Sequence, residues 1–177
     1  QSDITLFKGS SKMKLDERID YVFGSNLADQ RYIDEAHFVT SRKKGFRYRV
    51  FENYVTVAKC TIGKEECEVR SQLFGKPVIK IARRAFAKMR EIKRLKLNSN
   101  IIHLGTEAFD NCFGLTELLE CENVKYIGFA AFRNCINLKN ISLPKVKHIT
   151  NCAFKNCLKL ESVKMPEHAQ SRRRTVL

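Results

Sequence analysis

Residues 129–160 read FAAFRNCINLKNISLPKVKHITNCAFKNCLKL. Within this stretch Ala131-Phe132, Cys135 and Leu138 return as Ala153-Phe154, Cys157 and Leu160. Two readings compete: a pair of metal-binding or redox cysteines, or the interior of a stack of repeated units. Extending the search outward at a fixed period decides between them. Four lines align: 78–100, 101–123, 124–145 and 146–167, anchored on Phe86, Phe109, Phe132 and Phe154, which lie 23, 23 and 22 residues apart.

The match holds column by column. Ile81, Leu104, Ile127 and Ile149 stand five residues before each Phe, and Ala85, Ala108, Ala131 and Ala153 directly before it. Met89, Cys112, Cys135 and Cys157 follow three later, then Ile92, Leu115, Leu138 and Leu160. An apolar–x–apolar segment closes each unit: Leu95 and Leu97, Ile141 and Leu143, Val163 and Met165. In the second unit the pattern slips by one, and Leu119 and Cys121 are the expected pair. A column that accepts Met, Cys, Cys and Cys is a packing column, since Met is neither nucleophile nor thiolate ligand.

The physics is that of a solenoid. A 22–23-residue unit carries about six apolar side chains and cannot bury them alone; stacked on copies of itself it makes a continuous core. The expected architecture is an α/β solenoid of about four units, with one strand per unit forming a parallel sheet on one face. Alternation in NISLP turns Ile141 and Leu143 inward and leaves Asn140 and Ser142 on the open face. The Ala-Phe-x-x-Cys segment reads as a short helical or 3₁₀ turn opposite the strand.

The whole chain is consistent with this. It has 177 residues, 12 Phe and no Trp. It contains no apolar run long enough for a membrane helix. The start, QSDITLFKGS, shows neither Met nor the layout of a secretion signal, so the natural beginning is expected further upstream. Seven cysteines, an odd number with no CxxC, do not form a disulfide framework or zinc-finger pattern. They read as small buried hydrophobes, which favours an intracellular, reducing compartment.

The repeating columns resemble the leucine-rich repeats of the BspA-like (Treponema pallidum-type) class. A second likeness lies at 54–86, where Gly75-Lys76-Pro77-Val78 follows a hairpin and leads into the first repeat. The resemblance spans about 47–167 and implies the fold. For function it implies only a recognition surface, of the kind used in adhesion and protein binding.

Outside the repeats, residues 1–45 place Leu15, Ile19, Val22, Leu27, Ile33 and Phe38 with approximate helical spacing, broken at Gly24-Ser25-Asn26. Two short helices are expected, as an N-terminal cap or a separate arm. Residues 46–77 are expected to form the β-hairpin segment ahead of the four repeats at 78–167, and 168–177 a basic tail. After Met165 the chain is polar, so Phe154, Leu160 and Val163 are expected near an open edge that a partner or a second copy covers.

Charge is uneven. The net charge is +14, and nine basic residues fall between Lys76 and Lys96 with only Glu91 opposing them. That balance favours an anionic partner. The expected partner surface combines Arg83, Arg84, Lys88, Arg90, Lys93, Arg94 and Lys96 with the open-face residues Asn140, Ser142, Ser162 and Lys164. A protein partner, acidic in character, is the first reading. Nucleic-acid or ribonucleoprotein association through Lys76–Lys96 is the alternative, and a cell-surface adhesin fragment the second alternative.

Catalysis is not expected. His37, His103, His148 and His168 have no Ser or Cys partner at a nucleophile's spacing, and no P-loop, GxGxxG, HExxH or GxSxG occurs. No cofactor or metal is expected. Lys80, His103, Tyr126 and His148 share one column, whose variety of residue types marks it as a surface position.

Overall fold

A computed structural model describes residues 39–43 and 45–170. Three antiparallel strands come first: β1 (Val39–Lys43), β2 (Phe46–Val50) and β3 (Val55–Cys60). β4 (Glu66–Glu68), β5 (Gln72–Leu73) and β6 (Lys76–Ile81) lead into the regular coils. These hold β7 (Arg94–Lys96), β8 (His103–Leu104), β9 (Glu117–Leu119), β10 (Tyr126–Ile127), β11 (Asn140–Ser142), β12 (His148–Ile149) and β13 (Ser162–Lys164). A single helical turn, α1 (Glu167–Gln170), closes the described chain.

The strands form two sheets rather than the single one expected. The first runs β1-β2-β3-β6-β8-β10-β12, with β5 paired to β6; the second runs β13-β11-β9-β7-β4. Each coil therefore contributes two strands. The additional ones, β8, β10 and β12, are two residues long, too short to imprint an alternating pattern on the sequence. The second sheet has five strands, so a shortened coil built on β3 and β4 precedes the four regular ones.

A third ladder runs along the arm between the sheets. Arg84, Phe86 and Lys88 donate their amides to Thr106, Ala108 and Asp110, and the second and third arms repeat the set. The arms are successive tight turns rather than helices, with i→i−3 bonds such as Met89 N–H to Phe86 O. Two residues in each arm take left-handed φ: Arg84, Glu107, Ala130 and Cys152, then Lys88, Asn111, Asn134 and Asn156. Three of the second set are Asn, the non-glycine residue that tolerates this region best.

The core lies between the three ladders. Phe86, Phe109, Phe132 and Phe154 stack in one file, with ring centroids 5.1, 5.0 and 5.1 Å apart. Phe46 from β2 meets Phe86 edge-on at 6.0 Å and 63°, so the hairpin ends the file with a ring turned across it. The turn between β1 and β2 depends on Gly45, whose φ is 76° and where an added Cβ would stand 2.0 Å from Ile62 Cγ1.

Four details differ from the sequence reading. Val39–Lys43, assigned to the helical segment, is a strand; the two expected helices fall outside the described residues. In the second regular coil the inward residues are Leu118 and Cys121, while Leu119 faces out. Glu120 is an extra residue with φ 55°, and it resets the register. The Lys80 column is not a surface: Lys80, His103 and Tyr126 are 2%, 0% and 2% exposed, and His148 is half-buried. The last coil is less open than expected, because Phe154 is buried and Met165 and Ala169 join the core, leaving Leu160, Val163 and Cys157 half-buried.

Candidate interaction surface

The second sheet turns every other side chain outward, and parallel register lines them up in columns. One column runs Glu66, Arg94, Glu117, Asn140, Ser162. The other runs Glu68, Lys96, Leu119 and resumes beyond Glu120 with Ser142 and Lys164. This open face holds six of the eleven expected contact residues: Arg94, Lys96, Asn140, Ser142, Ser162 and Lys164.

Two of the three cations on this face, Arg94 and Lys96, are not available as free charge; the third, Lys164, is exposed at the far end. Arg94 reaches Glu117 at 3.0 Å and Glu66 at 3.2 Å, one on each flanking strand. Lys96 reaches Glu68 at 3.0 Å and Glu120 at 3.2 Å. Hydrogen bonds to these carboxylates raise both cations' pKa, led by Glu117 for Arg94 and by Glu68 for Lys96. Beside them Lys93 pairs with Glu65 at 2.6 Å. Toward the other end the face carries an amide, two hydroxyls and the exposed Lys164, and Ser162 Oγ donates to Asn140 Oδ1 at 2.6 Å.

The remaining four residues lie on the arms, away from the open face. Arg84 donates to Glu107 at 2.5 Å, and Arg83 approaches the same carboxylate at 3.9 Å. Arg90 lies over the ring of Phe113, 5.2 Å from its centroid. Lys88 is exposed. The eleven residues therefore form two separate groups.

A network on the arms escaped the sequence reading. Arg133 grips Asp110 with two bonds, 2.8 and 3.0 Å, and reaches Glu107 at 3.2 Å. Both carboxylates are buried. Asn111, Asn134 and Asn156 form a ladder of side-chain amides, at 3.0 and 2.8 Å. The signal was in the columns: Asp110 and Arg133 each follow their Phe directly, and Arg84 and Glu107 each precede it by two. Charges 22–23 residues apart in sequence are neighbours in space.

The cysteine column also does more than fill volume. Cys112, Cys135 and Cys157 donate Sγ–H to the backbone oxygens of Phe86, Phe109 and Phe132, at 3.0, 3.1 and 3.1 Å. Burial pushes Cys112 and Cys157 up to about 12 and raises Cys135 as well. Among the described residues no group of three or more His, Cys, Asp or Glu is placed to hold a metal ion, and no helix is long and apolar enough to cross a membrane.

Comparison with known proteins agrees with this geometry. A family model for the BspA type leucine rich repeat region matches residues 64–175 in six copies. A leucine-rich repeat protein from Bacteroides capillosus superposes with TM-score 0.64 at 22% identity, over 72% of this chain and 98% of that one. The Treponema pallidum leucine rich repeat protein gives 0.54 at 24% identity, over 71% of each chain. A leucine rich cell surface protein from Faecalibacterium prausnitzii gives 0.54 at 18% identity, over 72% of this chain and 43% of that one. At these identities the likeness is one of fold. No curated protein matches the chain. Stacked coils of 22–23 residues, their phenylalanine file and the family match over more than half the length lead to one conclusion: the chain belongs to the BspA-type leucine-rich-repeat family.

Proposed function

We propose that this chain is a non-catalytic protein-binding or structural module that presents the open face of its second sheet to a partner. The observation that carries this reading is the pair of outward columns on five parallel strands, one continuous and one interrupted at Glu120, held in register by backbone bonds. Such a face is stiff, so a partner docking on it orders few side chains. Its charge is patterned, with carboxylates flanking Arg94 and Lys96, and it gives way to an amide, hydroxyls and Lys164. A partner is then selected by register more than by net charge.

This shifts the weight away from the readings based on basicity. An acidic protein or a nucleic acid would have to displace Glu66, Glu68, Glu117 and Glu120 to reach Arg94 and Lys96. The intracellular reading is supported by the free cysteines. The adhesin reading draws on the Faecalibacterium neighbour, which is described as a cell surface protein.

The test is partner capture at low and high salt, with and without nuclease, using the native chain, Ser142→Arg/Ser162→Arg on the open face, and Lys88→Glu on an arm. The expected result is nuclease-resistant capture that weakens at least tenfold in the double variant and persists in Lys88→Glu. Nuclease-sensitive capture, or capture lost only in Lys88→Glu, would overturn the proposal.

A further inference from the structure

The first coil departs from the others at the two positions where they are most alike. By hydrogen-bond register Cys60 stands in the phenylalanine column. Its amide donates to Ala85 O at 2.7 Å, as Phe86 does to Ala108, Phe109 to Ala131 and Phe132 to Ala153 at 2.7–2.8 Å. Cys67 stands in the inward column of the second sheet, opposite Leu95 and, one strand on, Leu118. Where later coils place a phenyl ring and an aliphatic chain, this one places two thiols.

The two thiols belong to the same buried cluster, and each influences the proton affinity of the other. Both also lean on the six-residue link between them, Cys60 Sγ on Ile62 O at 3.9 Å and Cys67 Sγ on Lys64 O at 3.8 Å. Their access to solvent differs. Cys60 is 1% exposed, whereas Cys67 is 8% exposed and lines an open cavity of about 520 Å³ with Phe46, Tyr48, Ile62 and Arg70. The cavity lies where the first sheet continues into β2 and β1 while the second stops at β4. The column cysteines are arranged differently: each donates to a carbonyl of the neighbouring coil, a whole coil from the next thiol.

We infer that Cys60 and Cys67 are an oxidisable dithiol that closes, with a low-molecular-weight disulfide as oxidant, to a bond tying β3 of the first sheet to β4 of the second. Cys67, reached through the cavity, loses its proton to water and attacks the small disulfide, forming a mixed disulfide and expelling one thiolate. Cys60 then loses its proton and attacks Cys67 Sγ, which expels the second thiolate. Two protein thiols are oxidised, one small disulfide is reduced to two thiols, and the two protons end on the expelled sulfurs. Because burial holds Cys60 up to about 11 and raises Cys67, thiolate is scarce near neutrality and closure accelerates as pH rises.

The experiment treats the native chain with oxidised glutathione at pH 8, quenches with acid and maps tryptic peptides. Cleavage after Lys59, Lys64 and Arg70 isolates 60–64 and 65–70, each carrying one of the two cysteines. The expected product is these two peptides joined, in at least tenfold excess over any other cross-link, with a thermal midpoint several degrees above that of the reduced chain. Cys60→Ser should stop at a glutathione adduct on Cys67. Adducts confined to Cys152, a 60–67 bond that forms only in denaturant, or a folded Cys60→Ser without an adduct at Cys67 would each overturn the inference. The peptide map of the native chain decides the matter alone should that variant fail to fold.

Discussion

The thiol of Cys135 donates its proton to the backbone oxygen of Phe109, 3.1 Å away on the preceding coil. Cys112 and Cys157 repeat the bond one coil earlier and one later. A thiol held this way is neutral, and alkylation requires the thiolate. In native protein at pH 8, Cys135 and Cys112 should be carbamidomethylated by iodoacetamide at least a hundredfold more slowly than in denaturant, with half-buried Cys152 labelled ahead of them. Mass spectrometry reads each site, and comparable native and denatured rates at Cys135 would contradict the assignment.

Phe132 lies between two parallel neighbours, 5.0 Å from Phe109 and 5.1 Å from Phe154, and no solvent reaches it. Phe132→Ala leaves a cavity that the flanking coils, pinned by three ladders, cannot close. The expected loss is about 3–5 kcal/mol in denaturant unfolding. A loss under about 1 kcal/mol would mean the file is not the core.

The hairpin joining β5 to β6 turns on Phe74 and Gly75, with φ of 54° and 71°. Two left-handed residues in a two-residue loop favour Asn-Gly, and Phe is a poor occupant of the first position. Phe74 is 61% exposed, so little burial is forfeited by replacing it. Phe74→Asn should stabilise the chain by about 0.5–1 kcal/mol. A lower thermal midpoint in the variant would count against the turn geometry.

His103 is buried, and desolvation first, then the charge of Lys80, lowers its pKa well below 6.5. The unfolded chain therefore takes up a proton at this residue that the folded chain refuses. The associated stability is fully present above about pH 6.5 and declines as pH falls below it. Replacing His103 by Gln should flatten the stability profile between pH 6.5 and 5. An unchanged profile would show that another group governs it.

Sequence alone exposed the solenoid because apolar columns repeat at a fixed period, and burial leaves Phe, Ala and the aliphatic positions little latitude. The two-residue strands β8, β10 and β12 gave no such signal, since a pair of residues has no alternation to read. Nor did the pattern reveal that Lys80, His103 and Tyr126 are buried, because polar residue types in a column look the same whether they meet water or protein. The charged surface was misjudged for a related reason. Counting along the chain set Lys76–Lys96 against Glu91 alone, whereas Arg94 and Lys96 find their partners on the strands before and after. Reading the same residues down the columns recovers Arg84 with Glu107 and Asp110 with Arg133.

All three backbone ladders point along the stacking direction, so coils are joined end to end and, among the described residues, no backbone bond bypasses a neighbour. Tension applied at the two ends would load those joints in series and peel the outermost coil first. Each detached coil of 22–23 residues would pay out a slack of roughly 70–80 Å at full extension. Under force the stacked coils would therefore lengthen in steps of one coil.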